Sequence, residues 1–330
     1  MNTAIIHRLK PFLCAAIVLS LISCGGEPPS RQLEVAIKGL HGGALSDDGA
    51  YAVVGSVYHG GSFWSVADGE RLYNWNHSAE ESSVLISADV DPTGRWALSA
   101  EAFTMVLWDI NSGQAARFWT APGEVLDVAL VQGGSYTLLG LADHSAVIFN
   151  TLRGGVTRTF THQGRVRSVD LSTDGRIAIT GSEDQTAVVW DVNAAQAIMA
   201  MPFEEDVQLV ALSGNGRFAF TAAKYDKAQV WDVELEQAIF TLPLAKEKLK
   251  RGLRITSARF SEDGRQLLLG YANRNVELWD IDKRAKLKTW QLSNRHRWQP
   301  TAVAPLDVAF TRQNGVYNAL GSNGFVFWLD

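Results

Sequence analysis

Cysteine is almost absent from this chain. Its 330 residues hold two, Cys14 and Cys24, both near the N-terminus. Everything beyond Cys24 therefore folds without a disulfide and offers no thiolate for zinc or for nucleophilic catalysis. The histidines after His7 stand at His41, His59, His77, His144, His162 and His296, with no His-x-His or His-Glu-x-x-His spacing among them. There is no Gly-x-Ser-x-Gly elbow and no phosphate-binding Walker loop. Positive charge is also scarce: 30 Lys and Arg face 35 Asp and Glu, a formal charge of −5, which gives no case for nucleic-acid binding. Long apolar runs are missing too. The longest, Phe12 to Ile22, is about eleven residues, too short for a stable membrane-spanning helix.

That short run belongs to a leader. Met1 to Lys10 carries Arg8 and Lys10 and no acid, the apolar run follows, and Leu21-Ile22-Ser23-Cys24 closes it. Position, charge and cysteine together resemble the lipobox of bacterial lipoprotein precursors. The resemblance implies cleavage after residue 23, lipid on Cys24, and a mature chain with 28 basic and 35 acidic residues. An ordinary secretory signal that happens to hold a cysteine is the plainer alternative. Residues 24–30, rich in Gly and Pro, are expected to form a flexible tether. Gly25 stands where an Asp would favour inner-membrane retention, so the resemblance implies the outer membrane of a Gram-negative cell, facing the periplasm. A Gram-positive source would move it to the outer face of the cell membrane.

Residues 31–330 are organised by a repeat. Trp-Asp or a close variant recurs as Trp64-Ser65, Trp108-Asp109, Phe149-Asn150, Trp190-Asp191, Trp231-Asp232, Trp279-Asp280 and Trp328-Leu329, at spacings of 44, 41, 41, 41, 48 and 49 residues. A turn glycine precedes each mark by 13 to 15 residues: Gly49, Gly94, Gly134, Gly175, Gly216, Gly264 and Gly315. A period of about 40–45 residues ending in Trp-Asp is that of a four-stranded propeller blade. The expected fold is all-β, a seven-bladed β-propeller of four-stranded antiparallel blades. No strand follows Trp328, and Leu33 to Ile37 precedes the first blade. That N-terminal strand is therefore expected to complete the last blade and close the ring, which removes exposed sheet edges.

On these residues the chain resembles WD-repeat propellers. In that family a His, a Ser or Thr, an Asp and the Trp form a hydrogen-bonded staple in each blade. The resemblance assigns those roles to His162, Ser182, Asp184 and Trp190, and the fourth repeat alone reads as complete. It also implies a protein-binding or scaffold role rather than chemistry. No catalytic, metal or cofactor constellation is evident, so no cofactor is expected, and a closed ring needs no second subunit.

Differences between repeats point to the binding surface. From each mark to the first core residue of the next blade the distance is 17 residues in three joins, but 21, 24 and 27 in those after Trp64, Trp231 and Trp279. Blade seven adjoins blade one, so the three long joins share one arc and one face, where binding loops are expected. They carry Lys246, Lys248, Lys250, Arg251 and Arg254, then Arg295, His296, Arg297 and Trp298, with His77, Glu80 and Glu81 in the first. A basic lip with one Trp would suit a protein partner or an anionic cell-envelope component; the plainer reading is solvated loop charge. Two rival functions stay open: a periplasmic propeller enzyme of the lactonase or quinone-dependent dehydrogenase type, and an outer-membrane assembly factor.

Overall fold

The computed structural model describes residues 26–78, 82–243, 254–295 and 303–330. The leader with Cys24 lies outside the described residues. So do Glu80, Glu81, Lys246, Lys248, Lys250, Arg251, His296, Arg297 and Trp298.

Seven four-stranded antiparallel sheets follow one another along the chain. Blades one to six span residues 40–74, 87–120, 125–161, 166–202, 207–241 and 255–291. Within each, the strands run in order from the central channel outward. Burial explains the composition. In blade four the second strand, Ile177–Ser182, and the third, Thr186–Asp191, are covered on both sides by neighbouring blades and are largely apolar. The outermost strand of blade three, Val156–Thr161, leaves all but Phe160 exposed. The apolar clusters lie mostly between blades. One joins Leu138, Ile148 and Phe160 of blade three to Val166, Val169 and Ala178 of blade four.

The repeated marks have a packing reason. Opposite each mark residue, across the ladder to the second strand, stands Ala52, Ala97, Thr137, Ala178, Ala219, Leu267 or Asn318. Small residues predominate there and leave room for the indole. All seven turn glycines take positive φ, from 65° to 78°, a region that costs an L side chain about 1–2 kcal/mol. In blade four the same turn is fixed by Ser172, whose Oγ donates to Asp174 Oδ1 (2.7 Å) and accepts from the Ile177 N–H (3.0 Å). Blade one, with the weakest repeat, is held by an aromatic wedge: Phe63 stacks on Trp75 at 4.3 Å and Trp75 on Trp108 of blade two at 4.9 Å.

The ring closes as expected, with a shifted boundary. Blade seven takes β26 (Pro305–Phe310), β27 (Tyr317–Gly321) and β28 (Phe325–Leu329) from the end of the described chain, and its outer strand β1 (Arg31–Glu34) from the beginning. Arg31 pairs with Trp328 and Glu34 with Phe325. The expected strand, Leu33 to Ile37, starts two residues too late. Val35 and Ala36 have already left the ladder, both donating their N–H to Gly324 O. The segment expected to be a free tether also differs: residues 26–30 are bonded to the propeller, with Glu27 bridged in parallel to Trp290 of blade six.

Candidate functional site

The staple of blade four forms, with one residue corrected. His162 Nδ1 donates to Asp184 Oδ2 (2.9 Å), and Nε2 meets Thr180 Oγ1 at 2.7 Å. Trp190 Nε1 also donates to Thr180 Oγ1, at 2.8 Å. Ser182, assigned that place from sequence, instead donates to Gly164 O and accepts from the Asp184 N–H. Both hydroxyls lie on one face of the strand, but the ladder pairs Ala178 with Trp190, which brings Thr180 under the indole. Burial would raise the Asp184 carboxyl, yet hydrogen bonds from Thr186, the Gln163 N–H and His162 hold it below the usual range. Thr180→Val should therefore cost about 2 kcal/mol by stranding two buried polar atoms, and Ser182→Ala about 1 or less. Urea unfolding of the two variants reads the order, and the reverse order would return Ser182 to the staple.

A second staple escaped the sequence reading. The side chain of His77, placed from sequence only in the lengthened join after Trp64, is buried; Nε2 meets Ser99 Oγ at 2.8 Å and Nδ1 donates to Thr104 Oγ1 at 2.8 Å. Trp108 Nε1 donates to the same Ser99 Oγ (2.8 Å), and Thr104 Oγ1 donates to Glu101 Oε2 (2.9 Å). Burial pushes the His77 imidazole down, against the raising effect of Glu101. The lengthened join hid this histidine's register, and Glu101, 3.6 Å from Nδ1, stands in for the Asp of the tetrad: Thr104 bonds to it as Thr186 bonds to Asp184.

Arg295 is likewise spent on structure. Its guanidinium donates to Glu34 Oε1 (2.5 Å), Ala36 O and Asn323 O (2.7 Å), and lies 4.6 Å over the Phe325 ring. It clamps the end of β1 onto blade seven and is not open to a partner. Arg254 is exposed, beside Tyr225 and Gln208 in a shallow cleft.

The central channel encloses about 1010 Å³. Four of the carboxylates that line it each reach into the next blade. Asp89 accepts the Leu130 N–H (2.7 Å), Asp127 the Val169 N–H (3.0 Å), Asp170 the Leu212 N–H (2.7 Å) and Asp307 the Leu45 N–H (2.8 Å). Arg259 completes the girdle between blades six, seven and one. It donates to Val308 O (2.7 Å), Asp307 Oδ2 (2.9 Å), Leu45 O (3.3 Å) and Asp47. The girdle thus staples blade to blade. Among the described residues no group of three His, Cys, Asp or Glu is placed to hold a metal ion.

Burial dominates the girdle's titration. It pushes Asp127 up to about 6 and Asp170 up to about 7, only partly offset by the N–H bonds they accept, and raises Asp89 well above the carboxylate range. The folded state then binds more protons than the unfolded chain from about pH 4 to 7, so these groups' contribution to stability is lost as pH rises through that window. Asp170→Asn should flatten the fall in Tm between pH 5 and pH 8. Calorimetry at both values tests this; an unchanged slope rules out Asp170 as its source.

One face carries an apolar arc. The joins between blades and the turns between second and third strands form this face. In it Ile37, Val57, Tyr58, Val84, Ile86 and Phe103 are 38% to 61% exposed. All six sit at the seam of blades seven and one or on blades one and two. Backbone bonds pin three of them: Val57 N–H donates to Gly39 O, Ile86 N–H to Ala100 O, and Ala121 N–H to Phe103 O. Lys38 Nζ lies 5.3 Å over the Tyr58 ring. At this face's other described turns between second and third strands, only Tyr225 of blade five is a large exposed apolar side chain.

Seven blades closed into a ring, each with a buried or half-buried Trp or Phe mark, define a class, the seven-bladed β-propeller built from Trp-Asp repeats. The family model for the WD domain, G-beta repeat, matches residues 154–191, the outer strand of blade three and the three inner strands of blade four. With the seven blades around it, that match supports a propeller of WD-repeat type. No curated protein matches the chain.

Proposed function

We propose that this protein is a lipid-anchored, non-catalytic binding module of the bacterial cell envelope. Lipid at Cys24 fixes it to the outer membrane, on the periplasmic side, and a protein partner docks on the face that bears the apolar arc. The carrying observation is that arc. Six exposed apolar side chains on the turns and joins of adjoining blades, several with hydrogen-bonded backbones, offer a preorganised surface whose burial favours association. The exposed Arg254 supports a contribution from the basic joins, whose remaining charges extend the contact by attraction to an acidic partner. Anchoring raises local concentration, so each contact can be weak.

The test is cross-linking in cells that express the full chain, beside a Tyr58→Asp/Phe103→Asp variant. Capture of a discrete protein should fall by about tenfold or more, the effect of losing aromatic anchors at an interface, while Tm stays within about 2 °C because both side chains are exposed. Equal capture by both forms would remove the arc from the binding surface.

A further inference from the structure

The segment between the candidate lipid and the propeller is strapped down. Glu27 N–H donates to Thr289 O (2.9 Å), and Gln291 N–H donates to Glu27 O (2.8 Å). Glu27 Oε2 also pairs with Lys288 Nζ at 2.9 Å. Thr289 and Gln291 lie in the outermost strand of blade six, Ala285–Gln291, whose free edge these bonds cover. Gly26 lies so close to this strand that a Cβ would stand 2.7 Å from Trp290 C and 2.8 Å from Thr289 O, so only glycine passes here. Pro28 and Pro29 then stiffen the crossing to Ser30, whose N–H donates to Trp328 O (2.9 Å) in blade seven.

We infer that the anchored propeller stands on its rim, with the outer edge of blades six and seven against the lipid surface and its channel axis along the membrane plane. This rests on lipid being carried at Cys24. Three peptide units separate Cys24 from Glu27, a reach of at most about 10 Å, where seven free tether residues would give about 23 Å and no orientation. Glu27 is therefore held near the headgroups, and Glu27 belongs to the rim. Charge does not set this orientation. Along the same outer edge Lys283 pairs with Asp280, Lys286 with Glu277 and Lys288 with Glu27. The strap sets it, and the apolar arc, which lies on one face of the ring from the seam of blades seven and one to blade two, is not part of the contacting rim.

The mature chain has no cysteine other than Cys24, so single-cysteine fluorophores can be placed cleanly on the lipidated protein. Leu287→Cys marks the rim of blade six, Val156→Cys the rim of blade three, and Glu262→Cys and Asn273→Cys the two opposite faces of blade six; all four sites are exposed. On phosphatidylethanolamine and phosphatidylglycerol vesicles with a headgroup quencher, the Leu287 label should be quenched several-fold more than the Val156 label. The two face labels should be quenched alike, and the contrast should persist at 0.5 M salt. Gly26→Val should erase the contrast between the two rims. Equal quenching of both rims in the native sequence overturns rim-on anchoring, as does one face label exceeding the Leu287 label. Two separate readouts tell this failure from failure of the anchor. Mass spectrometry of residue 24 reports the lipid. In a Cys24→Ser protein, hydrogen exchange reports the strap: the Glu27 and Gln291 amides should be protected, and Gly26→Val should unprotect them.

Discussion

Arg259→Ala should cost about 3 kcal/mol of folding stability, near the lower end expected when one partner of a buried ion pair is removed. Its guanidinium meets two backbone carbonyls, Asp307 and Asp47, from an inner strand of blade six, and so ties blade six to blades seven and one. The Arg259 side chain is 19% exposed and that of Asp307 15%, so channel water softens the loss without replacing the charge. Asp47 is half exposed and adds little. Desolvation disfavours the Arg259 charge, but Asp307, Asp47, Asp89 and Asp170 more than offset it and hold the guanidinium above its ordinary range. Urea unfolding supplies the measurement. A double-mutant cycle with Asp307→Asn isolates the pair, because the amide oxygen can still accept the Leu45 N–H. The double variant should lose less than the two singles added together; strict additivity would mean that Arg259 acts through packing alone.

A chain that begins at Ile37 should fail to unfold cooperatively. It lacks β1, whose four residues pair with β28, and the two N–H bonds to Gly324 O. It also lacks Val35 and Ala36, buried in the cluster that joins blades seven and one, and Leu33, packed against it. Arg31, 4.5 Å over the Trp328 ring, goes with them. Burial of Val35 and Leu33 alone is worth about 3 kcal/mol or more, and the bonds add about 1 kcal/mol each, against a domain stability of about 5–15 kcal/mol. The loss also bares the edge of β28, a template for pairing with other chains. Calorimetry should show a broadened transition of much reduced enthalpy, and size exclusion should show oligomers. A peptide spanning residues 26–38, added in trans, should restore the sharp transition. A truncated chain that melts cooperatively within a few degrees of the full one would mean that three strands suffice in blade seven.

The sequence revealed the architecture because it is written in local, repeated signals. A tight turn needs positive φ in every blade, and a Trp or Phe mark faces a small residue across the ladder in five of the seven. What escaped was set by contacts between distant segments. Thr180 and Ser182 share a strand face, so alternation cannot choose between them; the register against Trp190 does. His77 was obscured by the lengthened join after Trp64. Arg295 has the character of a loop cation, but its partners Glu34 and Ala36 come from the other end of the chain. The six members of the apolar arc are scattered singly over residues 37–103 and share a face only once blades one and two pack side by side. Gly26, Pro28 and Pro29 suggest freedom, and only the open edge of blade six, more than 250 residues away in sequence, removes it.

Closure by β1 also orders events in time. Arg31 is among the first described residues to be synthesised and Trp328 among the last, yet they face each other in one ladder. A growing chain can assemble blades in succession, but the ring has no partner for β1 until β28 exists. Pairing the two strands closes a loop of almost the whole chain, a late and entropically costly step. On the envelope location proposed above, a chain exported before folding would gain from this: the contact that seals the ring is withheld until β28 has arrived.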